Sequence, residues 1–463
     1  MTDPPPPLAL ARRMKVTGAL LLTLSAVTPA ASVYVVIPGI LVQAGSGAFL
    51  ALAAGALVGL AVAFVYAELS SAHPLAGGEY CLIGRTLGTP VGFTYLAMNA
   101  IASGFGVPVL SLGASTYLAA VWPGLPNIPV AVGMIGFATL LGLLNIRTNA
   151  LVTGAFLAVE LVLLAVLATL GFAHPSRGLE ALAIHPQMLA PSGILTTAPV
   201  VAIGLATTVA IFAYNGFGAA VYFSEEMVGA PARVARTIIL ALLVTVAFEF
   251  IPTAAVLLGA PDLRSLLASA NPFGDFVLQR GGRALSTVVS LGVALAIVNA
   301  VIAIVLVYAR FFYATGRDRA WPAPVNAALT RLHPRFHSPW VATLLAGGMA
   351  MAGCFLPFQL LLVLNGTAVV ATYALLCVAA IVGRRNGTTG MRAYHMPLFP
   401  LAPVLGLGAL AYVVYADWID VSVGRPSLIA TAAMLAVGAI YALAMRRARG
   451  PGWTIAGPAE EAE

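Results

Sequence analysis

What this chain has least of is charge. Only 8% of its 463 residues are Asp, Glu, Lys or Arg, where soluble domains carry about 25%. Sixty per cent are hydrophobic and the mean hydropathy is +0.98. That shortage excludes a set of soluble domains and predicts an all-α membrane protein whose surroundings are the lipid bilayer. The net charge of +7 is then a signal of topology, not of nucleic-acid binding. Cysteine is scarce as well. Cys81, Cys354 and Cys377 have no metal-ligand spacing and suggest no disulfide frame; Cys81 is expected in a loop and the other two in spans. The six histidines fall in loops or at span edges, and Pro334 separates His333 from His337. No metal or cofactor is expected. H-E-x-x-H and nucleophile motifs with an obvious base are missing from the apolar runs, so no catalytic residue and no enzyme is expected. A cleaved signal peptide is not expected either. Arg12, Arg13 and Lys15 precede an apolar run too long for one.

What is present is a series of twelve apolar runs of about the length that crosses a bilayer. They cover 16–43, 48–69, 91–121, 128–144, 150–172, 197–223, 237–259, 285–309, 341–355, 361–382, 401–416 and 428–445. The expected organisation is a tail at 1–15, a first group of five spans at 16–172, a second at 197–382, two further helices at 401–445, and a tail at 446–463. Pro4 to Pro7 suits a short polyproline stretch in the first tail. Lys and Arg are unevenly shared between the loops. Of 23 such residues, Arg177, Arg264, Arg280, Arg283 and Arg425 fall on one side and the other 18 on the opposite side. By the positive-inside rule both termini are expected in the cytoplasm of a cell with a multi-pass plasma-membrane protein. The longest loops, Ala173 to Thr196 and Ala260 to Ala284, would then be external caps.

Glu160 sits mid-way along the run from Ala150 to Phe172, which holds no other charge. A carboxylate at that depth costs roughly 2.5 kcal/mol or more. Its place is therefore a bundle interior or a wet cavity, and proton relay is the job that suits it. Two spans are interrupted. The first reads Ser25-Ala26-Val27-Thr28-Pro29-Ala30-Ala31-Ser32, and Pro29 removes a backbone donor and disfavours helix at Thr28. The sixth reads Phe212-Ala213-Tyr214-Asn215-Gly216-Phe217-Gly218. Breaks at matching places in two five-span halves point to a substrate site. Half-helix N-termini offer N–H groups to a carboxylate and half-helix C-termini offer carbonyls to an ammonium. That pair of sites suits a zwitterionic amino acid.

Several stretches resemble the amino acid–polyamine–organocation superfamily of permeases. Ala67-Glu68-Leu69 through Gly77-Gly78-Glu79-Tyr80 is similar to the family's loop after the second span. Leu87-Gly88-Thr89-Pro90-Val91-Gly92-Phe93 resembles the lead-in to the third. The sixth-span break continues into Ser224-Glu225-Glu226, Ala230-Pro231 and Arg233. Arg310-Phe311-Phe312-Tyr313-Ala314-Thr315-Gly316-Arg317-Asp318 and His337-Ser338-Pro339-Trp340 complete the set. The resemblance implies a LeuT-type five-plus-five inverted repeat with two more helices and alternating access. It implies that Thr28, Ala30, Ala31 and Ser32 form one wall of the site and Ala213, Tyr214, Asn215 and Gly216 the other, with Phe212 as a lid and Ala102 lining the pocket. Asn215 stands where many relatives have Asp, which argues against cationic substrates. Glu160 stands where several relatives carry a lysine in place of a structural sodium.

Between Leu291 and Ala309 there is no Ser or Thr, which argues against the usual sodium site. The expectation is proton-coupled uptake of neutral amino acids. An exchanger of amino acids or amines without ion coupling is the alternative, followed by a transporter-like sensor. Monomer and homodimer stay open. Glu249 is the second deep carboxylate, and its span is expected to lie away from the site.

Overall fold

A computed structural model describes residues 12, 14–122, 124–421, 424–450 and 455. Most of both expected tails, including Pro4 to Pro7 and Arg13, lies outside these residues. Apolar content this high leaves few ways to satisfy a backbone in lipid, and helices satisfy it within each segment. Among the described residues, nine helical stretches are long and apolar enough to cross a membrane. The first of these, 16–72, contains two successive arms, a broken one and the helix Ala48–Ala72. Two shorter apolar helices, Asn127–Gly142 and Trp340–Gly353, lie between longer ones. The chain is a multi-pass, mostly helical membrane protein.

The first arm starts as Val16–Val27 and stops at Thr28, whose φ of 51° and ψ of 73° are left-handed. It resumes as Pro29–Ala31, continues as a π-helical stretch Ser32–Val36 and ends as Ile37–Ala44. Left-handed backbone is rare for a β-branched residue and marks a strained position. The sixth-span region is likewise two pieces, Val200–Ala213 and the 3-10 segment Phe217–Glu226, separated by Tyr214–Gly216. Between them run Ile146–Ala173, Ala230–Gly259 and the long helix Pro272–Arg317, kinked at Gly282. Ala48–Ala72 packs along Ala230–Gly259, and Ile146–Ala173 packs against both Val16–Val27 and Ala230–Gly259.

Two expectations about elements need correction. The third run is not one helix. Thr89–Ala102 ends and Gly106–Val121 begins after Ser103–Phe105, because Gly104 and Gly106 weaken the helix and Pro108 cannot supply an interior N–H. Cys81 is not in a loop. It is buried in the helix Glu79–Leu87, whose first turn carries Glu79, where a negative charge favours a helix start. The expected loop after Ala173 has structure of its own. It holds a short antiparallel pair, Gln187–Leu189 with Leu195–Thr197. Gly45, at φ +59°, lies so close to Gln187 that a Cβ would meet its carbonyl oxygen. Ser46 and Gln187 are also hydrogen-bonded to each other.

Members of the two charge groups seen in the sequence lie at opposite ends of Ala230–Gly259. At its C-terminal end, Arg177 donates to Ala260 O at 2.9 Å, and Arg280 Nη2 donates to Gly259 O at 2.6 Å. These two arginines satisfy helix-end carbonyls that have no partner further along. At the other end, Met14 N donates to Glu226 O at 2.9 Å and Arg310 Nε donates to Glu226 Oε1 at 2.8 Å. Arg449, near the other chain end, donates to Trp321 O in the segment that follows Asp318. Both described chain ends therefore lie on the same face, which is the face rich in arginine.

Candidate functional site at the paired helix breaks

The strained residue of the first arm is where the site begins. Pro29 has no N–H, so Ala30 carries the first backbone donor of the resumed helix, pointing back into the break. That donor is taken by a side chain from another element. Ala30 N donates to Glu160 Oε1 at 2.7 Å, and Thr28 Oγ1 donates to the same oxygen at 3.3 Å. Glu160 is fully buried, and its second oxygen has no hydrogen-bond partner among the described residues. Asn299, from Pro272–Arg317, stands beside it and donates to Ser25 Oγ at 3.1 Å. Three elements thus converge on the break opened by Thr28-Pro29.

The second break faces the first. Ser32 Oγ donates to Ala213 O at 3.0 Å, so one hydroxyl of the first arm ties directly to the end of Val200–Ala213. Gly216 has φ +116°, and a Cβ there would stand 3.0 Å from Val27 Cα and Cγ2. Only glycine serves both the backbone angle and the close approach. Asn215 Oδ1 accepts from Tyr373 Oη at 2.6 Å, which fixes the amide from the helix Phe358–Asn386. Tyr214 is fully buried, and its hydroxyl has no partner among the described residues.

Of the expected site residues, the structure joins Thr28, Ala30 and Glu160 by hydrogen bonds, and Ser32 with Ala213. Ala31 is buried in the same turn, and Gly216 abuts Val27. Ala102 is buried at the end of Thr89–Ala102, just before that run's own break. Phe212 is half-buried one residue before Ala213.

Glu249 requires a correction. The expectation put it away from the site, but the structure places its carboxyl beside the Ser32 hydroxyl, near Glu160 and Tyr214. Ala230–Gly259 packs on Val16–Val27 and Ile146–Ala173, so a mid-helix side chain on its inner face reaches the break. The signal available in the sequence was depth alone. Which face of an apolar helix points inward is not legible when apolar residues surround it on all sides.

The motif pieces met separately along the chain come together at the arginine-rich end. Tyr80 Oη donates to Asp318 at 2.8 Å, Arg317 pairs with Glu225 at 2.5 Å and with Asp318 at 3.1 Å, and Ala76 N donates to Glu225 at 2.9 Å. Glu79 accepts from Tyr66 at 3.1 Å and from Tyr222. Burial pushes the Glu79 carboxyl up from its ordinary range, and the bonds from Tyr222 and Tyr66 pull against that shift. Glu68 is held by Arg384 through both oxygens, at 2.7 and 2.5 Å. These residues lock the sixth-span ending to the loop after Ala48–Ala72 and to the end of Pro272–Arg317. Along the sequence most of them are visible only as marks of resemblance.

Comparison with known proteins identifies the family. A family model described as amino acid permease matches residues 15–440, which is nearly the whole chain. The chain belongs to the amino acid permease family. This permease is 27% identical over 447 residues to an uncharacterized transporter of Mycobacterium tuberculosis, covering 95% of this chain and 92% of that one. It is 25% identical to a methylthioribose transporter of Bacillus subtilis, covering 82% and 83%. It is 28% identical to the branched-chain amino acid permease BcaP of Lactococcus lactis, covering 79% and 81%. The permease is thus a member of the amino acid–polyamine–organocation superfamily, as its motifs suggest.

Proposed function

We propose that the chain is a proton-coupled importer of neutral amino acids that works by alternating access around the two breaks. The observation that carries this reading is the bond from Ala30 N to Glu160. A buried carboxyl occupies the first backbone donor of the resumed helix, which is the seat that a substrate carboxylate would take at a half-helix N-terminus. Ionised Glu160 holds that donor. Protonated Glu160 gives it up more readily, since a neutral acid is a weaker acceptor than a carboxylate. Proton loading and substrate loading are then linked by competition for one N–H group. Release of the proton on the far side restores the Glu160 bond and expels the substrate carboxylate. The substrate amine is held at backbone carbonyls of the breaks, and Asn215, Gly216 and Phe212 shape the space for its side chain.

The fold under this reading is twelve spans in two inverted five-helix repeats plus two helices. The two breaks and the packing of Ala48–Ala72 on Ala230–Gly259, the second members of each repeat, support it. The arginine-rich face is cytoplasmic and carries both termini. The protein acts as a carrier and not as an enzyme. The branched-chain permease among its relatives favours a neutral amino acid. The methylthioribose transporter keeps an uncharged polar solute as the second reading, because a seat already filled by Glu160 also suits a substrate with no carboxylate.

Uptake by reconstituted liposomes of pooled labelled amino acids, with and without an inward proton gradient, tests the reading. Gradient-raised uptake supports it. Uptake only into liposomes preloaded with amino acid replaces it with exchange, and uptake of methylthioribose alone replaces the substrate class.

A further inference from the structure

Glu249 is fully buried in the middle of Ala230–Gly259, and neither of its carboxyl oxygens has a hydrogen-bond partner among the described residues. An ionised carboxylate without donors in such a place is costly. A carboxyl buried in this way is less costly as the neutral acid than as the carboxylate. A structural acid of this kind is ordinarily bonded to a backbone carbonyl or hydroxyl of a neighbouring helix. Glu249 is instead surrounded by hydroxyls that are idle or committed elsewhere. Tyr214 Oη and Thr245 Oγ1, one helical turn before Glu249, have no partner among the described residues, and Ser32 gives its proton to Ala213 O. A hydroxyl can donate to a carboxylate and can equally accept from a carboxylic acid, so these groups can serve both forms of Glu249.

The groups facing Glu249 can be named element by element. Ile146–Ala173 contributes Glu160, the end of Val200–Ala213 contributes Tyr214, and the first arm contributes Ser32. The titratable residues of Ala48–Ala72, Tyr66 and Glu68, are engaged by Glu79 and Arg384. Those of Phe217–Glu226 are engaged at Glu79, Arg317 and Arg310. Among the described residues, no cation is one of the groups that act on Glu249. Two carboxyls that share one break do not ionise independently, and they lose protons in succession.

We propose that Glu249 is a second proton-carrying site of the transport cycle, placed with Glu160 around the break of the first arm. This rests on the proton-coupled reading above. The step is a simple exchange. The Glu249 O–H breaks, its proton passes to water on the face that opens, and the carboxylate left behind is held by Tyr214, Thr245 and a reoriented Ser32. Reloading from the other face reverses it. A proton suits this site better than an ammonium group, which would need room and several acceptors around it.

Two readouts test the proposal. Glu249→Gln keeps the shape of the protonated acid, so it is expected to fold and to bind substrate. In liposomes its proton-to-substrate ratio is expected to fall about twofold, because one of two linked sites is lost. In lipid nanodiscs, infrared spectra are expected to show a protonated-carboxyl band that is missing in Glu249→Gln and that fades as pH rises. Thr245→Val, which keeps the acid and removes one donor to its ionised form, is expected to move that fading to higher pH. A ratio equal to the wild type in Glu249→Gln overturns the proposal, as does a Glu249 band that is constant at every pH at which the protein stays folded. If no tested solute is transported, the uptake reading fails separately, and the infrared titration still accepts or rejects Glu249 as an exchanging site.

Discussion

Thr28 is held in left-handed backbone so that Pro29 can restart the helix with Ala30 N free to face Glu160. The cost of such a conformation, of order 1–3 kcal/mol, is borne where the two breaks meet. This gives the residue-scale predictions a direction. Glu160→Gln retains an acceptor for Ala30 N and cannot titrate. It is expected to bind substrate within a few-fold of wild type while losing accumulation driven by a pH gradient, as read by equilibrium binding and by uptake. Gly216→Val places a branched side chain against Val27 at φ +116°. It is expected to abolish binding, measured by ligand-induced shift in melting temperature, while Gly113→Ala, which meets nothing within 4 Å, leaves binding unchanged. Glu160 was legible in the sequence because a lone carboxyl in an apolar run must face a bundle interior or a wet cavity. Glu249 was equally visible as a deep carboxylate, but its partners were not. Ser32 and Tyr214 come from other elements, and only packing brings them to it.

At the scale of elements, long apolar runs announced themselves, whereas their interruptions were uneven. Pro29 and the Asn215-Gly216 pair mark breaks by known backbone chemistry. Ser103–Phe105 carries a similar signal in Gly104, Gly106 and Pro108, yet it lay inside a run apolar enough to read as continuous. The lock at the arginine-rich end was not legible at all as a unit, since Glu79, Glu225, Arg317 and Asp318 meet only through tertiary packing. Within it, Arg310 and Glu226 are 1% and 4% exposed. Arg310→Leu leaves the Glu226 charge buried and unmatched, with an expected loss of about 3–5 kcal/mol, visible as a large drop in thermal stability; the double variant Arg310→Leu with Glu226→Leu is expected to recover much of it. The loop at His73 makes a pH prediction. Burial first, and Arg85 second, lower its pKa from 6.5 to about 4. The unfolded chain therefore binds this proton more tightly than the folded one. Stability from His73 is complete above pH 6.5 and is lost as pH falls towards 4. His73→Gln is expected to flatten the melting temperature across that window.

For the whole molecule, composition was enough to place the chain in a membrane, and the split of arginines led to the expectation that the two chain ends share a face. The contacts of Met14 with Glu226 and of Arg449 with Trp321 agree with that sharing. Which solute passes was not legible: under the proposed reading, backbone groups at the breaks recognise features common to many substrates, and the side-chain space depends on how Phe212, Asn215 and the neighbouring helices pack. Coupling, under the proposed cycle, comes from Glu160 yielding Ala30 N to the substrate when it takes up a proton. A comparison of wild type and Glu160→Gln in liposomes probes that step, with gradient-driven accumulation measured beside exchange at equal pH on the two sides. Glu160→Gln is expected to exchange substrate at a rate near wild type and to accumulate none, because a proton on Glu249 alone does not compete with substrate for Ala30 N. Accumulation equal to wild type in that variant would contradict the coupling role of Glu160.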